Sequence, residues 1–427
     1  MFFTILGIIL CLYGFCNFKK GFLYLLIFRF FIGINLPVLP SLPAIKIDMV
    51  VTAFYILLFF LNGLYKNNNS GKFPLRIPFI LLFISWTISS VTSYIGFIGC
   101  LPQYIGNTCK DLIFIWIMWE IVCVEDLKFL VKNISIVFFI ACLYSVYEHF
   151  TISNPLRDYE LSWAGSSGVD WQYFADDVRG YRIQSIFDHA IGAGANFVLY
   201  IIFILTLLIR YNNQLKVSNL KLLFLCFFCA LSALWTNSRT PVMFLLIGLF
   251  AFLDFKSRKT YLLIIICAAL FFLVAPCFSD YSALFTSIFN PNSQVTMYGS
   301  NSELRFDQLA AAFSLFMLSP IHGLGFMFYY EMHSSAIEGL LGMESIWFSV
   351  LPELGIIGVI ANLILAYYSL IVIPKKYKSK SLFFLSLAYW IVASLTSLPG
   401  IKMYFYYLIM FYFIKMSPYY KPKKTKV

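Results

Sequence analysis

The chain has 427 residues, 61% of them hydrophobic and 12% charged, with a mean hydropathy of +0.82. So few charges cannot cover a soluble surface, which excludes a soluble enzyme and leaves a polytopic membrane protein. The formal net charge of +11 would suit a nucleic-acid binder if it formed one patch, but the charges are spread along the loops as a topology code, so no nucleic-acid partner is expected.

Taken in order, the chain opens on MFFTILGIILCLYGF, which lacks a basic leader and a small-residue cleavage site and is expected to be a true first span. Apolar windows of about 20 residues recur at 2–17, 21–38, 48–65, 77–97, 108–124, 129–149, 189–210, 219–236, 240–255, 259–276, 345–373, 380–398 and 401–415. The expected fold is therefore all-α: one integral domain over 1–427 with about 12–13 transmembrane helices. Most of the 31 Lys and Arg fall in alternate loops, near Lys19–Lys20, Lys66–Arg76, Lys128–Lys132, Arg210–Lys221, Lys256–Lys259, Lys375–Lys380 and Lys415–Lys426. Basic residues collect in cytoplasmic loops, so the tail is predicted inside and the two long polar segments, 150–188 and 277–343, outside.

Most of the ten cysteines lie in apolar runs, where they serve as small hydrophobes. Cys100 and Cys109 bracket LPQYIGNT in a loop predicted to face the oxidising side; a disulfide and two separate thiols are both open there. The basic residues outside the cytoplasmic set are Arg29, Lys46, Lys110, Arg157, Arg179, Arg182, Arg239, Arg305 and Lys402. Arginine predominates among them, and its planar fork suits bidentate phosphate recognition better than lysine does.

The stretch 179–194, RGYRIQSIFDHAIGAG, brings Arg179, Arg182 and His189 to the mouth of a span. Cations there are costly unless an anion or water meets them, although arginines that snorkel to headgroups give the same pattern. The loop before it carries Trp163 and Trp171, and the second outer loop ends in SPIHGLGFMFYYEMHSSAIEGLLGMES with Tyr329, Tyr330 and Glu344. Those four aromatics are candidate sugar contacts or members of an interfacial belt. LRFDQLAAAFSLFML, in the same loop, has the spacing of a helix lying on or dipping into the membrane. No Walker loop, GxSxG, HExxH, Asp-x-Asp or zinc spacing occurs, so no metal and no cofactor are expected. What remains, outward arginines with a few acids and bases, fits chemistry on a lipid-linked diphosphate.

Four pieces in order carry a resemblance to a known family. RIQSIFDHAIGAGA resembles the R-x-x-G-x-F-x-H-P-N motif of the O-antigen ligase and Wzy-type polymerase superfamily, with Ser185 in place of its Gly and Ala190–Ile191 in place of Pro-Asn. WTNSRTPVMFLLIG resembles the next motif, a Ser-Arg at the outer end of a span; SELRFDQLAAAFSLFMLSPIHGLGF resembles the third, an Arg ahead of a Pro-x-x-Gly-x-Gly turn; ESIWFSVLPELGIIG resembles the closing helix with its Glu-Leu-Gly. The resemblance implies a multi-pass protein of a bacterial inner membrane that transfers glycans from undecaprenyl diphosphate at the outer face. It implies Arg182, Arg239 and Arg305 on the diphosphate, with Arg179 as an accessory cation. Glu344 or His189 would be the base or hydroxyl-orienting group. Glu344 stands where ligases tend to have His, which favours a polymerase of repeat units for O-antigen, capsule or exopolysaccharide. The alternatives are an O-antigen ligase that transfers finished chains to lipid A core and a non-enzymatic lipid-linked oligosaccharide flippase. Implied partners are the lipid-linked glycan, membrane lipids, a chain-length regulator and a flippase.

Overall fold

The computed structural model describes residues 2–31, 36–39, 45–64, 71–164, 181–187, 189–211, 219–253, 302–328, 345–396 and 404–421. Among them every regular element is helical, apart from an isolated bridge between Pro37 and Lys46. Helices α1 (Phe2–Cys16), α2 (Phe18–Phe28), α3 (Ile47–Leu61) and α4 (Arg76–Val91) precede α5 (Phe97–Asn107), which runs through a π turn at Thr108–Ile113 into α6 (Phe114–Ile121). Next come α7 (Leu127–Thr151), α8 (Pro155–Ala164), α9 (Ala190–Arg210), α10 (Asn219–Trp235) and α11 (Arg239–Leu249). The last set is α12 (Ser302–Leu318), α13 (Ile346–Tyr367), a second π turn at Tyr368–Val372, α14 (Ile373–Tyr377), α15 (Lys380–Leu395) and α16 (Tyr404–Lys415).

These helices are apolar on both faces. On α7, Leu130, Val131, Ile134, Phe138 and Ala141 are buried, while Ile136, Phe139, Ile140, Leu143 and Tyr147 are exposed. A helix that turns apolar side chains outward as well as inward is built for a lipid solvent. Among the described residues, Val124–Thr151, Ala190–Arg210 and Ile346–Tyr377 are long and apolar enough to cross a membrane. The molecule is an all-α membrane protein, as its composition predicts.

Hydrogen bonds and close approaches fix the directions of the helices. The Ser381 hydroxyl, at the start of α15, donates to the Ala251 carbonyl just beyond α11 (2.6 Å), so these two packed helices are antiparallel. A Cβ on Gly194 of α9 would overlap Pro241 of α11, and one on Gly248 of α11 would overlap Ile202 of α9, so this pair is parallel and very close. The small residues of AIGAGA permit that approach. One end of the bundle thus gathers the end of α7, the starts of α9 and α11 and the end of α15. The other end holds the Lys19–Asp126 ion pair (2.9 Å) and the Lys415 ammonium, which donates to the Trp119 and Val122 carbonyls at the end of α6 and lies 4.5 Å from the Trp119 ring centroid. The last helix, α16, is the central post. Phe405 through Ile414 are each at most 1% exposed, and Tyr406 stacks on Tyr389 at 3.9 Å.

Two boundaries differ from the expected spans. The window 21–38 stops being helical at Phe28, because the next residue, Arg29, turns to Asp48 (3.2 Å) and lies over the rings of Phe114 (4.2 Å) and Tyr404 (5.0 Å). That pairing answers the charge structurally. The window 108–124 begins earlier, at Phe97, so Cys100 and Cys109 lie on one continuous helical stretch and both are free. Nine residues of helix separate them by about 13 Å, beyond the reach of a disulfide; Cys100 instead donates to the Ser93 hydroxyl at 2.9 Å.

Helix α13 is broken at Gly355, whose φ of 61° and ψ of −161° leave local backbone groups without helical partners. The turn after α12 supplies them. Leu324 N–H donates to the Pro352 carbonyl (2.8 Å) and Gly325 N–H to Glu353 (3.3 Å), while Ile356 N–H donates to Pro320 (2.9 Å) and Ile357 N–H to Ile321 (3.3 Å). The Ser89 hydroxyl of α4 donates to the Glu353 carbonyl at 2.6 Å. Irregular backbone at membrane depth is tolerated where protein satisfies it in this way. Gly323, Gly325 and Gly355 all have positive φ, and a Cβ on Gly355 would stand 2.6 Å from the Ile321 carbonyl oxygen. The Pro-x-x-Gly-x-Gly turn and the Glu-Leu-Gly helix are two halves of one interlock.

Candidate functional site

The segment 181–187 is not helical; it lies as a strap between the end of α7 and the turn joining α10 to α11. On the turn side, Ile183 N–H donates to the Trp235 carbonyl (3.3 Å), and the Asn237 amide donates to Tyr181 (3.1 Å). Arg182 is buried there, 9% exposed. Its Nη2 donates to the Ser238 hydroxyl at 2.6 Å and its Nε to the Thr236 carbonyl at 3.4 Å. An arginine held this way inside protein does not snorkel to headgroups.

On the α7 side, Ser185 N–H donates to Glu148 at 2.6 Å and its hydroxyl to the Ala141 carbonyl at 2.7 Å. Ser185 has φ of 55°, a left-handed conformation that glycine adopts freely. This accounts for the departure from the family motif: the position demands positive φ, and the two bonds hold serine in it. Ser185→Gly therefore relieves about 1 kcal/mol of backbone strain and loses a hydroxyl bond of about 1 kcal/mol. It is expected to unfold close to wild type in detergent, whereas Ser185→Ala keeps the strain, loses the bond and falls below both. Equal melting of the Ala and wild-type proteins would contradict this account.

His189 is the N-cap of α9, its Nδ1 accepting from Ile191 N–H at 3.1 Å. Burial, with Arg182 and Arg157 adding like charge, pushes its pKa down to about 4. The imidazole is thus neutral near pH 7. Because Nδ1 is the acceptor, its proton sits on Nε2, which acts as a donor. Arg157, on α8, is the cation that motif reasoning left outside the set, although its position against the topology bias marks it.

Arg239 is the first residue of α11, and the N-cap Ser238 makes no capping bond because its hydroxyl serves Arg182. The helix start adds its positive dipole end to the arginines. Arg305 on α12 donates from Nη2 to the Leu395 carbonyl (3.2 Å) at the end of α15. From the Ser381–Ala251 link, α11 rises about 18 Å to Arg239 and α15 about 21 Å to Leu395, at ~1.5 Å per residue. Arg305 therefore lies at the same end and nearly the same level as Arg239, Arg182 and His189. Trp163 belongs to α8 by its backbone. Arg179, Trp171, Tyr329, Tyr330 and Glu344 lie outside the described residues. Sequence reasoning missed Glu148, whose signal is a carboxylate within the last turn of a span, and Asn154, an amide just beyond that span.

Buried Arg182, half-buried Arg157, Arg239 and Arg305, a neutral histidine donor and two helix starts gather at one end of an all-α membrane bundle, an arrangement that can receive an anionic group. Residues 222–363, a stretch that takes in Arg239, Arg305 and the Gly323–Gly355 interlock, match the O-antigen ligase family. This match, over about a third of the chain, and the four ordered motifs are consistent with the O-antigen ligase and Wzy-type superfamily, whose members are glycosyltransferase-like ligases and polymerases acting with lipid-linked glycans. No curated protein matches the chain.

Proposed function

We propose that the protein is a polysaccharide polymerase of the bacterial inner membrane, joining repeat units carried on undecaprenyl diphosphate at the outer face. The observation that carries the reading is the gathering of Arg182, His189 and Arg239, with Arg305 at the same level, at the end of the bundle opposite Lys19, Lys128 and Lys415. The lysine-rich end suits the cytoplasm, which puts the arginines outside.

In the reaction, a hydroxyl of one repeat unit attacks the anomeric carbon of the growing chain. The bond from that carbon to the diphosphate oxygen breaks, and the lipid diphosphate leaves with the electron pair. Arg182, Arg239 and Arg305, with Arg179 and Arg157 as accessory cations, stabilise the charge that develops. His189 donates from Nε2 to the diphosphate or orients the hydroxyl, and Glu344 takes the hydroxyl proton. Trp163, Trp171, Tyr329 and Tyr330 supply stacking faces for sugars. A flippase delivers the substrate, and a chain-length regulator sets the extent of polymerisation.

The family description favours a ligase as the second reading, while Glu344 at the position where ligases tend to have His favours the polymerase. The break in α13 is not a transporter's hallmark, since its backbone groups are satisfied by the chain's own turn. Deleting the gene separates the readings. The polymerase predicts single repeat units on carrier or acceptor and no long ladder; long chains stranded on undecaprenyl diphosphate would move the assignment to the ligase.

A further inference from the structure

We propose that Glu148, which no motif of the family marks, is the positioning residue that holds Arg182 and His189 in their binding geometry. The proposal rests on the anion-site reading above. Glu148 is fully buried in the last turn of α7 and receives four donors. Its Oε1 accepts from the Tyr181 hydroxyl (3.0 Å), the Gln184 N–H (3.0 Å) and the Asn154 amide (3.2 Å), and its Oε2 from the Ser185 N–H (2.6 Å). Three of the four come from the strap that carries Arg182, at positions on both sides of it.

The fourth extends the same hub to α8. Besides Glu148, the Asn154 amide donates to the Ser185 carbonyl (3.1 Å), and its Oδ1 accepts from the Arg157 N–H (3.0 Å) and the Tyr144 hydroxyl (2.9 Å). One carboxylate thereby fixes the strap and the start of the helix that bears Arg157, the two cations whose charge reaches His189. Every contact is one in which the carboxylate accepts, a role only the ionised group fills completely. Such a residue acts without touching the ligand, as outer-shell partners do at metal sites.

The test uses the full chain purified in detergent, with inorganic pyrophosphate as the probe and calorimetry as the readout. Wild type is expected to bind, and Arg182→Ala to bind about tenfold or more weakly while remaining measurable; absence of binding by wild type, or wild-type affinity in Arg182→Ala, overturns the anion-site reading and the proposal with it. Glu148→Gln has the same size but turns an N–H₂ toward the donors. It is expected to weaken binding about tenfold or more with little change in melting temperature, and the double variant Glu148→Gln/Arg182→Ala to bind no worse than Arg182→Ala alone, because the two losses pass through one group. Wild-type affinity in Glu148→Gln, or additive losses in the double variant, overturns the positioning role while leaving the anion site standing. Should Glu148→Gln fail to fold, Tyr181→Phe removes one donor and leaves the carboxylate in place. Weaker pyrophosphate binding by Tyr181→Phe supports the proposal, and unchanged binding overturns it.

Discussion

Replacing Arg182 by alanine is expected to abolish long polymer while the protein stays in the membrane. A preorganised donor facing the leaving group contributes roughly 3 kcal/mol or more of transition-state stabilisation, about a hundredfold in rate. Arg182 is preorganised in this sense, since the Ser238 hydroxyl and the Thr236 carbonyl hold its guanidinium while protein encloses it. Lysine at 182 keeps the charge but cannot reproduce the fork, so it should restore activity only partly. The same ranking, wild type over Lys over Ala, is expected at Arg239 and Arg305. Complementation of a deletion strain, scored by polymer length with protein abundance as control, measures it. Full-length polymer from all three Arg→Lys variants at normal abundance would remove the diphosphate clamp from the mechanism.

Gly355→Ala should be more severe still, because it strikes the fold beneath the site. The φ of 61° with ψ of −161° is a region reserved for glycine, and the new methyl would stand 2.6 Å from the Ile321 carbonyl oxygen and 2.7 Å from Gly323 N, both backbone atoms that cannot step aside. Strain of this kind together with the overlap is expected to cost about 3 kcal/mol or more. Gly99→Ala is the control, its added methyl meeting only the Ile95 side chain at 3.7 Å. Membrane abundance and melting temperature in detergent should collapse for Gly355→Ala and hold for Gly99→Ala. A stable Gly355→Ala protein would show that the interlock can open.

Among the described residues, the three helices long and apolar enough to cross a membrane were legible because lipid rewards long apolar runs on every face, which is why α7, α9 and α13 fall where hydropathy alone puts them. The errors have local causes. Arg29 ends α2 early, and its compensation by Asp48 lies 19 residues away, too far for a window to register. The break at Gly355 is invisible to hydropathy, since the run Ile346–Tyr367 is predominantly apolar and the backbone groups it loses are restored by a turn some 30 residues earlier. At the candidate site, charge against the topology bias marked a wider set of basic residues, from which the resemblance singled out Arg182, Arg239 and Arg305, and the structure holds these three at one end of the bundle. His189 was legible as a polar residue at a span mouth, but its tautomer was not, because that depends on the Ile191 N–H. Glu148 escaped notice because it sits inside an apolar window and its worth lies in bonds to a strap more than thirty residues on.

The position of α16 has a consequence for how the molecule is made. A helix buried on every side from Phe405 to Ile414 leaves the ribosome after the helices that enclose it, so the centre of the bundle is delivered later than its walls. Until then the faces of α9, α15 and α6 that will meet it are lined by lipid or by the insertion machinery. Biogenesis of this protein therefore includes insertion of a keystone between helices already in place, and a ribosome that stalls before Tyr404 leaves those faces of α9, α15 and α6 without their partner.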